Sequence, residues 1–184
     1  ALETEVPIIA IHLTRPPIII PDREALNIAP HLDASKGAYI IQDFDQEKEK
    51  KGIVIVRGTS STNSLIQILP LIKENGINIK IIAAISWELF KRQDRDYREL
   101  VVAPNEWADA MIITNSAISL MHNWITNSVV KKYSMSPDHD NQWRTGGSIE
   151  QIVAESQLDP ESLLKGIKVF VKNRSQRLSS IQIT

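Results

Sequence analysis

The sequence predicts an α/β protein: a three-layer sandwich whose mostly parallel mixed sheet has about five strands, one of them antiparallel, flanked by helices. Three observations predict it. The runs IVIVRG, INIKIIAAI and DAMIIT are rich in β-branched residues and lack polar alternation, as strands covered on both faces do. Between them lie stretches with apolar residues at helical spacing, the strand and helix alternation of a parallel sheet. Ahead of them stands one more extended run, GAYIIQDF, residues 37–44, in the position of an antiparallel neighbour.

Taken in order, VPIIAIHL, residues 6–13, reads as a strand that stops at Thr14-Arg15-Pro16-Pro17. Consecutive prolines supply no amide donors and favour extended backbone, so the chain passes into a linker through IIIPDRE. GAYIIQDF follows, then the charged run DQEKEKKG, which carries both signs and ends in Gly, the pattern of a solvated turn. With IVIVRG next, this predicts an antiparallel pair. From Gly52 the rhythm changes. GIVIVRGTSS is a strand with a tight turn, and NSLIQILPLIKENG has apolar residues at 65, 66, 68, 69 and 72, a helical face ending at Gly76. Pro70 cannot donate to the carbonyl of Ile66, so a kink within one helix is expected. INIKIIAAI and DAMIIT, residues 109–114, are further strands. Three helices follow: SLMHNWITNSVVKKY, SIEQIVAES and PESLLKGIKVFVKNR. Ser148 with Gln151 forms a capping box, and Asp159 caps a helix with Pro160 in its first turn. RLSSIQIT either frays or adds an edge strand.

Composition narrows the function. The 184 residues suffice for one sizeable core. A formal charge of -1 leaves no broad basic surface for nucleic acid. The chain has no Cys, which excludes disulfides, thiolate metal sites and cysteine nucleophiles and accords with a reducing compartment. No apolar run approaches the ~20 residues that span a bilayer, so a soluble, cytoplasmic protein without a membrane partner is expected. Because it opens on Ala1 rather than Met, the chain also reads as a fragment or a processed product.

Candidate chemistry is sparse. Gly58, Thr59, Ser60 and Ser61 form a strand-to-helix turn of the kind that cradles an anion, where free amides and the positive helix end face the ligand. Without a following Lys it is no P-loop, and helix capping by these hydroxyls is the commoner use. The four histidines, 12, 31, 122 and 139, have no ligand spacing, so no metal site is expected. His139, between Asp138 and Asp140, could serve as an acid or base, but a polar loop is the simpler reading. A G-x-S-x-G elbow is absent. In AAISWELFKRQDRDYRE, Ser86 is placed to cap a helix starting at Trp87, and Asp94 or Asp96 a second one carrying Tyr97. Trp87 and Phe90, three apart, should fold back together onto the edge of the sheet.

SWELFKRQDRDYRELVVAP resembles a signature of the carboxyl-terminal domain of transketolases, in Ser86, Trp87, Glu88, Leu89, Phe90, Gln93, Tyr97, Arg98 and Pro104. Upstream, the unit around Gly58-Thr59-Ser60 is similar to the family's strand-turn-helix, and IIAIHLTRPPI to the last strand of its pyrimidine-binding domain. The resemblance implies that residues 1–30 are the tail of that preceding domain and its linker, and 31–184 the carboxyl-terminal domain. It further implies a parent enzyme that uses thiamine diphosphate and a divalent metal to move two-carbon ketol units between sugar phosphates, in pentose phosphate chemistry, as a homodimer. The cofactor-holding parts are missing here, so catalytic residues and metal ligands are expected to be none, and the chain alone inactive. Its expected roles are assembly, closure near the substrate entrance and an effector site at 58–61. Leu13-Thr14-Arg15 matches the family's L-S-R segment, which makes Arg15 a candidate contact to the substrate phosphate; Arg suits this because its planar fork offers parallel donors. Glu88 and Tyr97 read as structural. After residue 105 the match thins: MIITNSAISLMHNW and DHDNQWRTGGSIEQI stand in place of the family's Gly-Trp and F-G-x-S segments. Two alternatives stay open, a related 2-oxo acid (pyruvate) dehydrogenase and a stand-alone module binding a small anion.

Overall fold

A computed structural model describes residues 20–142, 144 and 146–181. The strand expected over 6–13, and Arg15 with it, lie outside the described residues. Four strands form one sheet: β1 (Ala38–Gln42), β2 (Ile53–Arg57), β3 (Lys80–Ala84) and β4 (Ala110–Thr114), in the order β1-β3-β2-β4. β2 runs parallel to both β3 and β4, and β1 is antiparallel to β3, as the predicted fold class requires.

β1 does not pair with β2, as the sequence pattern suggested. β3, buried at all five positions, takes the place between them. The charged run is exposed but is a crossover rather than a hairpin turn, and the buried Asn78 organises it. Its amide donates to the carbonyls of Asp45 and Lys48 at 2.9 and 3.0 Å and its Oδ1 accepts from the Asp45 amide at 2.9 Å. The Lys51 amide then donates to the Asn78 carbonyl at 2.8 Å, delivering the chain to β2.

Alternation along the strands splits the core into two layers. Val54, Val56, Ile81, Ala83, Met111 and Ile113 face α1 (Thr59–Gln67), α2 (Leu69–Glu74) and α7 (Pro160–Lys172). Ile53, Ile55, Ile82, Ala84, Ala110 and Ile112 face the opposite layer, which contains Phe90, Val101, Met121, Trp124 and Val130. Each large side chain so buried contributes about 1.5–3 kcal/mol.

Three local expectations change. α1 and α2 are separate helices, broken at Ile68 (φ -97°, ψ 1°), with Pro70 in the first turn of α2 where its missing donor is harmless. The stretch 119–133 divides into a 3-10 helix, Ile118–Trp124, and α5 (Ser128–Tyr133), because Asn127 caps Val130 at 2.8 Å. Residues of RLSSIQIT belong to α8 (Arg174–Ile181), not to a fifth strand. The outer edge of β4 is met instead by Met135 in a single parallel bridge, with Thr114 N donating to Met135 O at 3.0 Å and Met135 N to Ile112 O at 2.8 Å. α6 (Ile149–Glu155) has the expected Ser148–Gln151 capping box, and Asp159 caps α7. No helix among the described residues is long and apolar enough to cross a membrane.

Candidate functional site

Because β2 is followed in space by β3 on one side and β4 on the other, the chain reverses its direction of winding between β2 and β4. Open α/β sheets bind ligands at the carboxyl ends of such strands. Here that point is made by Gly58 after β2 and Asn115 after β4, whose amide donates to the Arg57 carbonyl at 3.4 Å. Gly58 has φ 94°, and a Cβ there would overlap the Asn115 side chain. Asn115 Nδ2 donates to Ser60 Oγ at 3.1 Å, bridging the two loops.

The hydroxyls of the turn do not cap α1. Gly58 is the N-cap, with no side-chain hydrogen bond, while Thr62 Oγ1 donates back to the Gly58 carbonyl at 2.8 Å. Ser61 is buried, and its Oγ has no partner among the described residues. Arg57, the last residue of β2, leads into this turn; its Nη1 donates to the Leu120 carbonyl at 3.2 Å, and the guanidinium makes no ion pair with a carboxylate among the described residues. The turn thus offers first-turn amides and an amide side chain, beside a strand-end guanidinium, a set suited to a small anion. Arg57 and Asn115 were not anticipated; the signal for Arg57 was its place as the last strand residue before the Gly turn.

The aromatic motif is a packing device. Ser86 caps α3 (Trp87–Phe90), accepting from Leu89 N at 3.4 Å, and Asp94 caps α4 (Arg95–Val101), accepting from Tyr97 N at 2.7 Å. Trp87 and Phe90 share a face with ring centroids 6.1 Å apart, and both meet Trp124, at 5.1 and 5.4 Å. Tyr97 OH donates to the Ala38 carbonyl at 2.8 Å, tying α4 to β1; burial pushes its phenol above the ordinary value. Gln93 Nε2 donates to the Leu89 carbonyl at 3.0 Å. Phe90 and Tyr97, with the caps Ser86 and Asp94, thus fasten α3 and α4 to the sheet.

The histidines stay apart. His139 Nδ1 faces the Ser136 carbonyl at 3.1 Å, and the flanking acids are engaged elsewhere: Asp138 accepts from Ile118 N, and Arg144 holds Asp140. That hydrogen bond from Arg144 keeps the Asp140 carboxyl below its usual range. His122 Nδ1 faces the Ser119 carbonyl of its own turn at 3.1 Å, and His12 lies outside the described residues. No group of three or more His, Asp or Glu among the described residues is arranged to hold a metal ion.

Residues 37–136 match the family description of the transketolase-like C-terminal domain. The chain belongs to this family. It is 26% identical over 95 residues to Transketolase 10 of Craterostigma plantagineum, covering 50% of this chain and 14% of that protein. It is 27% identical over 93 residues to Transketolase-1, chloroplastic, of Arabidopsis thaliana, covering 47% of this chain and 12% of that one. Among solved structures, transketolase from Campylobacter jejuni superposes with a TM-score of 0.56 at 14% identity, over 74% of this chain and 19% of its own. A split-gene transketolase described as an inactive beta4 tetramer superposes with a TM-score of 0.52 at 11% identity, over 76% of this chain and 44% of its own. The chain therefore spans a small fraction of the curated relatives it matches.

Proposed function

We propose that this chain is the carboxyl-terminal part of a thiamine diphosphate dependent, transketolase-like enzyme that transfers two-carbon ketol units between sugar phosphates, and that it serves assembly and the substrate entrance without itself catalysing. The observation that carries this reading is the family match over 37–136, whose most distinctive residues, Ser86 to Pro104, hold the fold together rather than gathering reactive groups. The described residues offer no ligand set for a divalent metal, so in this reading the cofactor and its metal are held by other domains or by a separate subunit. Arg15 is the proposed contact to the sugar phosphate, and the parent is proposed to be a cytoplasmic homodimer. The related pyruvate dehydrogenase and the stand-alone module gain no specific support.

The experiment is to capture the native protein through this chain, weigh its polypeptides and analyse its products. Ketol transfer between sugar phosphates supports the proposal; acetyl products from pyruvate would replace it with the dehydrogenase reading. A second proposal concerns the same domain: Gly58, Thr59, Ser60 and Ser61, with Arg57, bind a small anionic effector. It is favoured by the Arg57 guanidinium having no carboxylate partner among the described residues. Titration with inorganic phosphate should give saturable binding that Arg57→Ala weakens, and an Arg57→Ala protein binding equally well would end it.

A further inference from the structure

We propose that the groove between α3 and α4, floored by Trp87 and Trp107, binds a planar aromatic anion of the mononucleotide class. The groove has a volume of about 470 Å³, in the range of small-molecule sites and too small for a folded partner. Trp87 and Trp107 stand nearly edge to face, centroids 6.2 Å apart and planes at 78°, and both are only partly buried. Trp124, 2% exposed, backs both of them at 5.1 and 6.1 Å. The indoles are therefore fixed before any ligand arrives, which spares a bound ring the entropy of ordering its own platform. A nucleobase stacks on such a face whatever its identity.

The rim supplies the charge. Lys91, Arg95 and Arg98 line the groove with a single carboxylate, Glu99. Arg95 Nε pairs with Glu99 at 2.6 Å, and Lys91 is held by Glu88 at 2.5 Å. Arg98 is left over: its guanidinium has no ion pair among the described residues. An unpaired planar fork beside an aromatic platform is complementary to a phosphate joined to a base. The groove's volume accommodates one nucleotide, and the chain's formal net charge of -1 does not favour extending the contact along a nucleic-acid strand. It shares no residue with the turn at 58–61 and stands independently of the parent's activity.

The test is a titration of the full chain with AMP, adenosine and inorganic phosphate, followed by tryptophan fluorescence and by the indole N–H signals in NMR spectra. The expected result is saturable AMP binding that moves the signals of Trp87 and Trp107, adenosine binding about tenfold weaker, and no response of these indoles to phosphate alone. Arg98→Ala should weaken AMP about tenfold while leaving adenosine binding and the unfolding midpoint unchanged, with Arg98→Lys between. The assignment is overturned by the absence of a saturable AMP response at these indoles, by phosphate alone moving them, by an AMP affinity unchanged in Arg98→Ala, or by shifts centred on Gly58 and Asn115.

Discussion

Replacing Asp109 with Ala should remove the counter-charge that lets α8 dock. Asp109, its side chain 7% exposed, accepts from Arg177 Nη1 and from Arg174 Nε, each at 2.6 Å. The Arg177 guanidinium lies 3.6 Å from the Phe170 ring centroid, and its Nη2 has no partner among the described residues. Burial pulls the Arg177 pKa down while Asp109 opposes it, so without Asp109 a desolvated cation stands alone. Removing one member of a buried pair costs about 3–5 kcal/mol. Arg177→Met keeps the apolar stem and leaves Asp109 its second partner, so it should cost less, about 1–2 kcal/mol. The double variant should lie near Arg177→Met, giving a coupling close to the whole Asp109→Ala cost, about 3–5 kcal/mol. Urea unfolding followed by circular dichroism measures all three, and Asp109→Ala should also lower the thermal midpoint by roughly 6–20 °C. An Asp109→Ala cost under about 1 kcal/mol, or single costs that simply add, would refute the argument, because both charges would then be solvated in the folded protein.

Gly37→Ala should destabilise by about 3 kcal/mol in the same assay, since φ is 88° and the new Cβ would overlap backbone atoms of Phe90 and Ser86 that cannot rotate away. Gly58→Ala should cost about 1–3 kcal/mol, and Asn115→Ala added to it should restore part of the loss, because there the obstacle is a side chain. Tyr97→Phe should cost about 0.5–1.5 kcal/mol near neutral pH through the lost bond to Ala38. Since burial raises the Tyr97 pKa above its unfolded value near 10.0, its contribution is full below that value and is lost as pH rises through the folded one. Unfolding midpoints of the two proteins should therefore converge above about pH 10.

The parallel strands were legible because Ile and Val runs such as IVIV and KIIAA are buried on both faces, and that burial leaves a direct mark on the residue pattern. Strand neighbours were less legible. The GAYII run carries no sign that β3 would separate it from β2; that depended on Asn78, one polar residue whose three contacts lie 30 and 33 positions away. Caps were readable wherever the partner is local, as at Ser86, Asp94, Ser148 and Asp159, and misread at 59–61, where Gly58 replaces a side-chain cap. The last eight described residues have only a weak helical signal, and their helix is fixed by Arg177 reaching Asp109 across 68 positions. In the candidate site the turn itself could be seen, whereas Asn115 and Arg57 came together only through strand order.

The most direct test of the central claim is a ketol-transfer assay on the native assembly captured through this chain, supplied with thiamine diphosphate, a divalent metal, a ketose phosphate donor and an aldose phosphate acceptor, beside the same assay on the isolated chain. The account predicts transfer by the assembly and none by the isolated chain. An assembly holding larger or additional polypeptides that shows no transfer, or an isolated chain that is active, would contradict it.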